Sequence, residues 1–249
     1  MNEARQSNHL QGRVILITGA GDGIGRTVAV GCAEQGANVI LLGRTTTKLE
    51  AVYDEIVDAG FPEPGIVPMD LLRASVEQVD ELATVIDTNY GRLDGILHNA
   101  SILGERVPFD HYSLDKWQQV MQVNLSAVVL LTRMLLPLLQ RSDDGRLLFT
   151  SSSVGATPRA YWGAYAVSKY AMEGLAKLLA EELENTASIR VNIINPGGTR
   201  TAMRAEAYPA EDPSTMKTPE TLLPLYLYLL GPDSRNEHGK TFTADWLET

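Results

Sequence analysis

The chain has 249 residues, of which 44% are hydrophobic and 21% charged, and its formal net charge is −10. A single α/β domain of roughly 200–250 residues fits that length, and the composition excludes a disordered chain. The acidic balance argues against nucleic acid and anionic membranes as partners, because both require a basic footprint. An anionic ligand therefore needs a local site.

One cysteine, Cys32, excludes a disulfide within the chain and a multi-cysteine metal site; it reads as a small buried hydrophobe in a helix. The histidines at 9, 98, 111 and 238 show no metal-ligand spacing, so no metal is expected. The opening MNEARQSNHLQG lacks the apolar core of a secretory signal. The longest apolar stretch, Ala127–Leu139, is interrupted by Thr132, Arg133 and Pro137, and it is short for the ~30 Å of a bilayer core. These features predict a soluble cytoplasmic protein with no membrane partner. A single domain over 1–249 is expected, with an N-terminal tail over 1–11.

In chain order, Val14–Thr18 is a continuous β-branched run, as expected of a strand buried on both faces. A glycine turn and a helix to about Gln35 follow, stopped by Gly36. Asn38–Leu42 reads as a second strand. Thr47 with Glu50 forms a capping-box pattern that opens a helix ending near Gly60. A third strand is expected at Gly65–Met69, and Ser75 with Gln78 caps a helix to about Tyr90. Leu93–His98 is strand four, and Ser113 caps a long helix towards Gln140. Strands five and six fall at Arg146–Thr150 and Arg190–Ile194, flanking a helix at Ala164–Asn185. Thr218-Pro219 starts another helix, and Thr241–Ala244 closes the sheet as strand seven. This alternation predicts a doubly wound Rossmann-type domain, with a parallel sheet of about seven strands and helices on both faces. Ligands then bind beyond the carboxyl ends of the strands.

Directly after strand one comes Thr18-Gly19-Ala20-Gly21-Asp22-Gly23-Ile24-Gly25. Glycines here permit a tight turn, and the helix that follows directs its positive end at a diphosphate. This context predicts dinucleotide binding. After strand two, the place where a carboxylate would accept from a ribose hydroxyl holds Gly43, then Arg44 and Thr45. A guanidinium binds a 2′-phosphate bidentately, so NADP(H) is expected over NAD(H). Asp70, at the end of strand three, either accepts from the adenine amino group or caps the turn before Ser75.

Tyr165 and Lys169 lie one helical turn apart. A cation within ~4–6 Å lowers a phenol pKa by about 1–3 units from about 10, which makes an acid/base device for a carbonyl oxygen. Tyr112 and Lys116 share that spacing, but Tyr112 precedes the cap Ser113 and has no serine-bearing strand end before it. Tyr165 has one, Ser151-Ser152-Ser153, whose hydroxyls could donate to the same oxygen.

Taken together and in order, the glycine turn, the serine strand end and Tyr165-Ala-Val-Ser-Lys169 resemble the short-chain dehydrogenase/reductase family, in its single-domain branch. Leu93–Asn99 and Pro196–Thr201 look most like a bacterial subgroup of uncharacterised oxidoreductases. The resemblance implies that Gly19, Gly23 and Gly25, with the intervening Asp22 and Ile24, hold the pyrophosphate. Arg44 holds the 2′-phosphate, and Asp70 and Leu71 line the adenine pocket. Asn99 and Ala100 support the sheet and the cofactor. Asn124 holds a relay water. Ser152 orients substrate, with Ser153 as runner-up. Tyr165 is the acid/base, and Lys169 binds the nicotinamide ribose. Pro196, Gly197, Thr199 and Thr201 contact the nicotinamide. His98 and Ser101 depart from the family's Asn-Asn-Ala-Gly segment, and the family's Asp-Gly-Gly ending is missing, which puts a tetramer in doubt.

The expected activity is hydride transfer between NADP(H) and a small-molecule carbonyl or secondary alcohol, by a homodimer or homotetramer. The alternative is a cofactor-binding sensor or scaffold with vestigial chemistry. The substrate pocket is expected at Ile102–Tyr112, Gly155–Trp162 and a loop over 202–217, where Arg159, Arg200 and Arg204 either contact an acidic substrate or are solvated.

Overall fold

The structure is a computed structural model that describes residues 9–185 and 188–248, so most of the expected tail (1–8) lies outside the described residues. Leu10 is already fully buried, and its amide bonds Gln35 O, so the fold begins before residue 11.

The strands are β1 (Val14–Thr18), β2 (Asn38–Gly43), β3 (Gly65–Pro68), β4 (Gly95–His98), β5 (Gly145–Thr150), β6 (Ile189–Asn195) and β7 (Thr241–Thr243). All pairs are parallel, in the order β3-β2-β1-β4-β5-β6-β7. The order reverses between β1 and β4, which opens a crevice at their carboxyl ends. Alternation along the strands feeds two cores: Val14, Leu16, Ile40 and Leu42 face one, and Ile15, Ile17, Val39 and Leu41 face the other.

The second face carries α1 (Gly23–Glu34), α2 (Thr46–Asp58) and α9 (Leu223–Leu230); Cys32 is buried there, as expected. The first face carries α3 (Val76–Tyr90), α5 (Ala127–Leu139) and α7 (Gly163–Leu183), and α4 (Leu114–Met121) packs on α7 through Val120 and Ala164. The capping box of Ser75 and Gln78 is present. The one expected at Thr47 and Glu50 is not, because α2 starts two residues earlier behind Thr45, with no side-chain cap. Thr218 likewise gives no side-chain cap, and Pro219 opens a short 3-10 turn before α9.

Ser113 does cap α4, accepting from Lys116 N, but the helix to residue 139 is not uniform: a π-turn over Gln122–Ser126 joins α4 to α5. Joined in this way, Leu114–Leu139 is long and apolar enough to cross a membrane by length and composition alone. The apolar run over Ala127–Leu139 is thus part of a longer helical segment, and half of its most apolar window packs inside the fold. The expected loop over 202–217 is partly helical, with α8 at Ala202–Ala207, capped by Thr201, and a 3-10 turn at Pro213–Thr215. The short α6 (Ser153–Ala156) follows β5.

Candidate active site

At the end of β1, Thr18 ties the crevice together. Its hydroxyl accepts from Asn99 N and Ala100 N (3.0 Å each) and donates to Leu97 O. The Asn99 amide in turn donates to Thr18 O at 3.3 Å. Gly19 and Gly23 sit at positive φ (70° and 51°). A side chain at Gly25 would place Cβ 2.1 Å from Gly19 O and 2.7 Å from Asn99 Nδ2, so only glycine lets α1 start against β1. Asp22 caps α1 by accepting from Gly23 N, and it also accepts from Lys48 Nζ at 2.5 Å. That lysine holds its carboxyl below the ordinary range.

A cavity of about 790 Å³ runs from this turn past β2 and β3 to Tyr165. Arg44 is exposed on its wall and enters no ion pair among the described residues. Lys48, in the first turn of α2, lines the same cavity; four positions after Arg44, it was missed in the sequence because that spacing was its only signal. Asp70 lines the cavity and also caps its own turn, accepting from Leu72 N at 3.1 Å. Leu71, Ile24, Pro196, Gly197, Thr199 and Thr201 lie on the wall as expected. Thr199 Oγ1 donates to Pro196 O, and Thr201 reaches Gly23 closely enough that a Cβ there would meet its methyl at 3.2 Å.

Two expected site residues do not reach the cavity. Gly25 packs behind Gly19. Asn124, 1% exposed, has its amide engaged: Oδ1 accepts from Ile102 N (2.9 Å), while Nδ2 donates to Ile102 O and Ser168 Oγ (3.0 Å each). The π-turn sets this residue off the helix register, and its side chain pins the chain after β4 against α7. Both polar atoms of the side chain are thus engaged within the protein.

Ser152 stands where β5 gives way to α6 and faces the Tyr165 phenol, whereas Ser153 is the first residue of α6 and off the wall. Tyr165 and Lys169 do lie together: Lys169 Nζ is 5.6 Å from the phenol ring centroid. Both are buried, and the ammonium donates to Thr150 O at 2.7 Å. The expected acidic phenol is not what burial yields. Burial pushes Tyr165 up to about 12 against the opposing Ser152 and Ser101 hydroxyls. Burial pulls Lys169 down to about 8, opposed by the Glu173 carboxylate one turn later. Glu173 is held by Ser151 Oγ at 2.5 Å. Tyr112, by contrast, serves a loop: its hydroxyl accepts from Glu105 N, and it precedes α4.

A doubly wound sheet, a glycine turn at the reversal of strand order, and a buried tyrosine–lysine pair faced by a serine together define a dinucleotide-fold oxidoreductase of the short-chain type. The sequence model of the family described as short chain dehydrogenase matches residues 13–212, and the chain belongs to that family. It is 53% identical over 235 residues (94% of this chain, 92% of the other) to the uncharacterized oxidoreductase YciK of Escherichia coli K12. A short chain dehydrogenase of Shigella flexneri 2a complexed with NADP superposes with TM-score 0.93 at 51% identity, covering 96% of this chain and 99% of that one. One from Escherichia coli CFT073 complexed with NADPH superposes with TM-score 0.92 at 52% identity, covering 95% and 98%.

Proposed function

We propose that the chain is an NADP(H)-dependent oxidoreductase, moving a hydride between the nicotinamide and a carbonyl or secondary alcohol, with Tyr165 as the acid/base. The observation that carries this reading is the buried Tyr165 phenol, faced by Ser152 and backed by Lys169, at one end of a cavity whose other end is the glycine turn. The cofactor assignment is supported by the absence of a carboxylate after β2, by Arg44 and Lys48 at that place, and by the NADP and NADPH held by the solved relatives.

Gly19, Gly23 and the start of α1 receive the pyrophosphate on backbone amides. Arg44 takes the 2′-phosphate. When bound, the nicotinamide supplies or accepts the hydride. Ser152 donates a hydrogen bond to the substrate oxygen, and the neutral phenol of Tyr165 gives that oxygen its proton. The Lys169 ammonium stabilises the phenolate that results. Asn124 acts as a positioning residue, through Ile102 and Ser168. A phenol that burial keeps protonated suits reduction. The sensor or scaffold alternative is not favoured, because Ser152, Tyr165 and Lys169 are all in place.

The apolar Val129, Val167 and Leu178, exposed on α5 and α7, support a homodimer or homotetramer built through those helices. A cytoplasmic location is part of the same reading.

The test is a screen of aldehydes, ketones and quinones for NADPH oxidation. Tyr165→Phe should lose at least a thousandfold in turnover while its NADPH Kd stays within about twofold of wild type. Wild-type turnover by that variant contradicts the assignment.

A further inference from the structure

The wall beside the phenol is assembled from three distant stretches: Leu103 after β4, Trp162 before α7, and Met203 and Ala207 of α8. Tyr161 (φ 70°) and Gly163 (φ 37°) bend the chain on either side of Trp162. A non-glycine residue at positive φ persists only where its surroundings hold it. Trp162 is thereby buried with its ring centroid 5.7 Å from that of Tyr165.

Of the two arginines here, Arg204 lines the cavity and Arg106 lies behind it, and both are committed elsewhere. The Arg106 guanidinium lies 4.5 Å from the Trp162 ring centroid and 4.8 Å from that of Tyr208, and it donates to Ala207 O. Arg204 stacks under the same Tyr208 ring at 3.9 Å and is held by Glu211 through two hydrogen bonds of 2.6 and 2.5 Å. Arg106 is not on the cavity wall, and neither are the exposed Arg159 and Arg200.

The remaining cations on the wall lie elsewhere or are engaged. Arg44 and Lys48 follow β2, Lys169 points at Thr150 O, and Lys116 is exposed on the first turn of α4, bonded to Gln119. Two carboxylates, Glu105 and Glu206, line the same cavity. A carboxylate substrate beside the phenol would lose water against apolar side chains and meet two like charges, and among the described residues the one unpaired guanidinium on the wall, Arg44, stands after β2 and not beside Trp162.

We propose that this pocket takes an uncharged, apolar carbonyl compound and discriminates against its carboxylate analogues, a refinement that rests on the carbonyl reading above. The test has two arms. In the first, Tyr165→Phe loaded with NADP+ is titrated with methyl mandelate and with mandelate, followed through tryptophan fluorescence. In the second, wild type is assayed with NADPH on methyl phenylglyoxylate and on phenylglyoxylate.

The expected result is binding at least tenfold tighter for the neutral ester, with kcat/KM higher by a similar factor. Mandelate binding as tightly as its ester, or neither binding, overturns the proposal. Equal, Tyr165-dependent reduction of ester and acid overturns it while leaving the oxidoreductase reading intact. Ester-selective binding with no carbonyl reduced does the reverse.

Discussion

Reduction of a carbonyl calls for a neutral phenol and a charged lysine at the same pH. Burial supplies the first, with Tyr165 up at about 12, and endangers the second, with Lys169 down at about 8. Protonated forms of both are required, so kcat/KM for reduction should fall as pH rises through about 8, approaching tenfold per pH unit, with the lysine titrating first. Glu173 opposes the drop at Lys169, so Glu173→Gln should move that limb to lower pH; a pH–rate profile of the two proteins reads the shift. Arg44 is the residue expected to choose the cofactor. Arg44→Ala should raise the KM for NADPH about tenfold or more and leave that for NADH nearly unchanged. A parallel change in both would show that the guanidinium does not meet the 2′-phosphate.

At the scale of elements, the strands were legible because each is a short apolar run bounded by turn residues, as in Val14–Thr18 and Asn38–Gly43. The glycine turn and the tyrosine–lysine spacing were legible because both are local in sequence. The pattern at Thr47 and Glu50 misled, since the same residue types also occur inside a first helical turn and only the backbone at Thr45 decides where the helix begins. The π-turn at Gln122–Ser126 leaves no periodic signature, yet it sets where the Asn124 amide goes. Asn124→Ala would strand Ile102 N and O without their partner. We expect a loss of about 1–3 kcal/mol in urea denaturation, together with weaker cofactor binding from the loosened segment after β4. The stack of Arg106, Trp162 and Tyr208 could not be read in advance, because it joins residues some 50–100 positions apart by contacts that no local spacing encodes.

At the scale of the whole molecule, the end of the sheet opposite the cleft is fastened by buried charge. Arg146, fully buried in a strand that reads as apolar, bonds Asp144 at 2.7 Å along with Ser234 Oγ and Gly231 O. Arg146→Ala should cost about 3 kcal/mol of global stability, read from denaturant midpoints. His98 sets the acid limit. It is buried, stacks on Phe149, shares a 2.8 Å hydrogen bond with Thr132, and burial pulls it down to about 3. Below about pH 6.5 the unfolded chain takes up a proton that the native one refuses, so stability falls as pH drops from there towards 3. Between pH 6.5 and 5 the loss should approach about 2 kcal/mol, and His98→Asn should remove most of that slope.

The most direct test of the central claim follows an isotope. NADPH carrying deuterium at the transferring C4 position is incubated with a reducible carbonyl, and the product alcohol is weighed by mass spectrometry. The account predicts one deuterium on the carbinol carbon with wild type and no labelled product above background with Tyr165→Phe. Unlabelled alcohol from wild type, or label transferred at the wild-type rate by the variant, would contradict it.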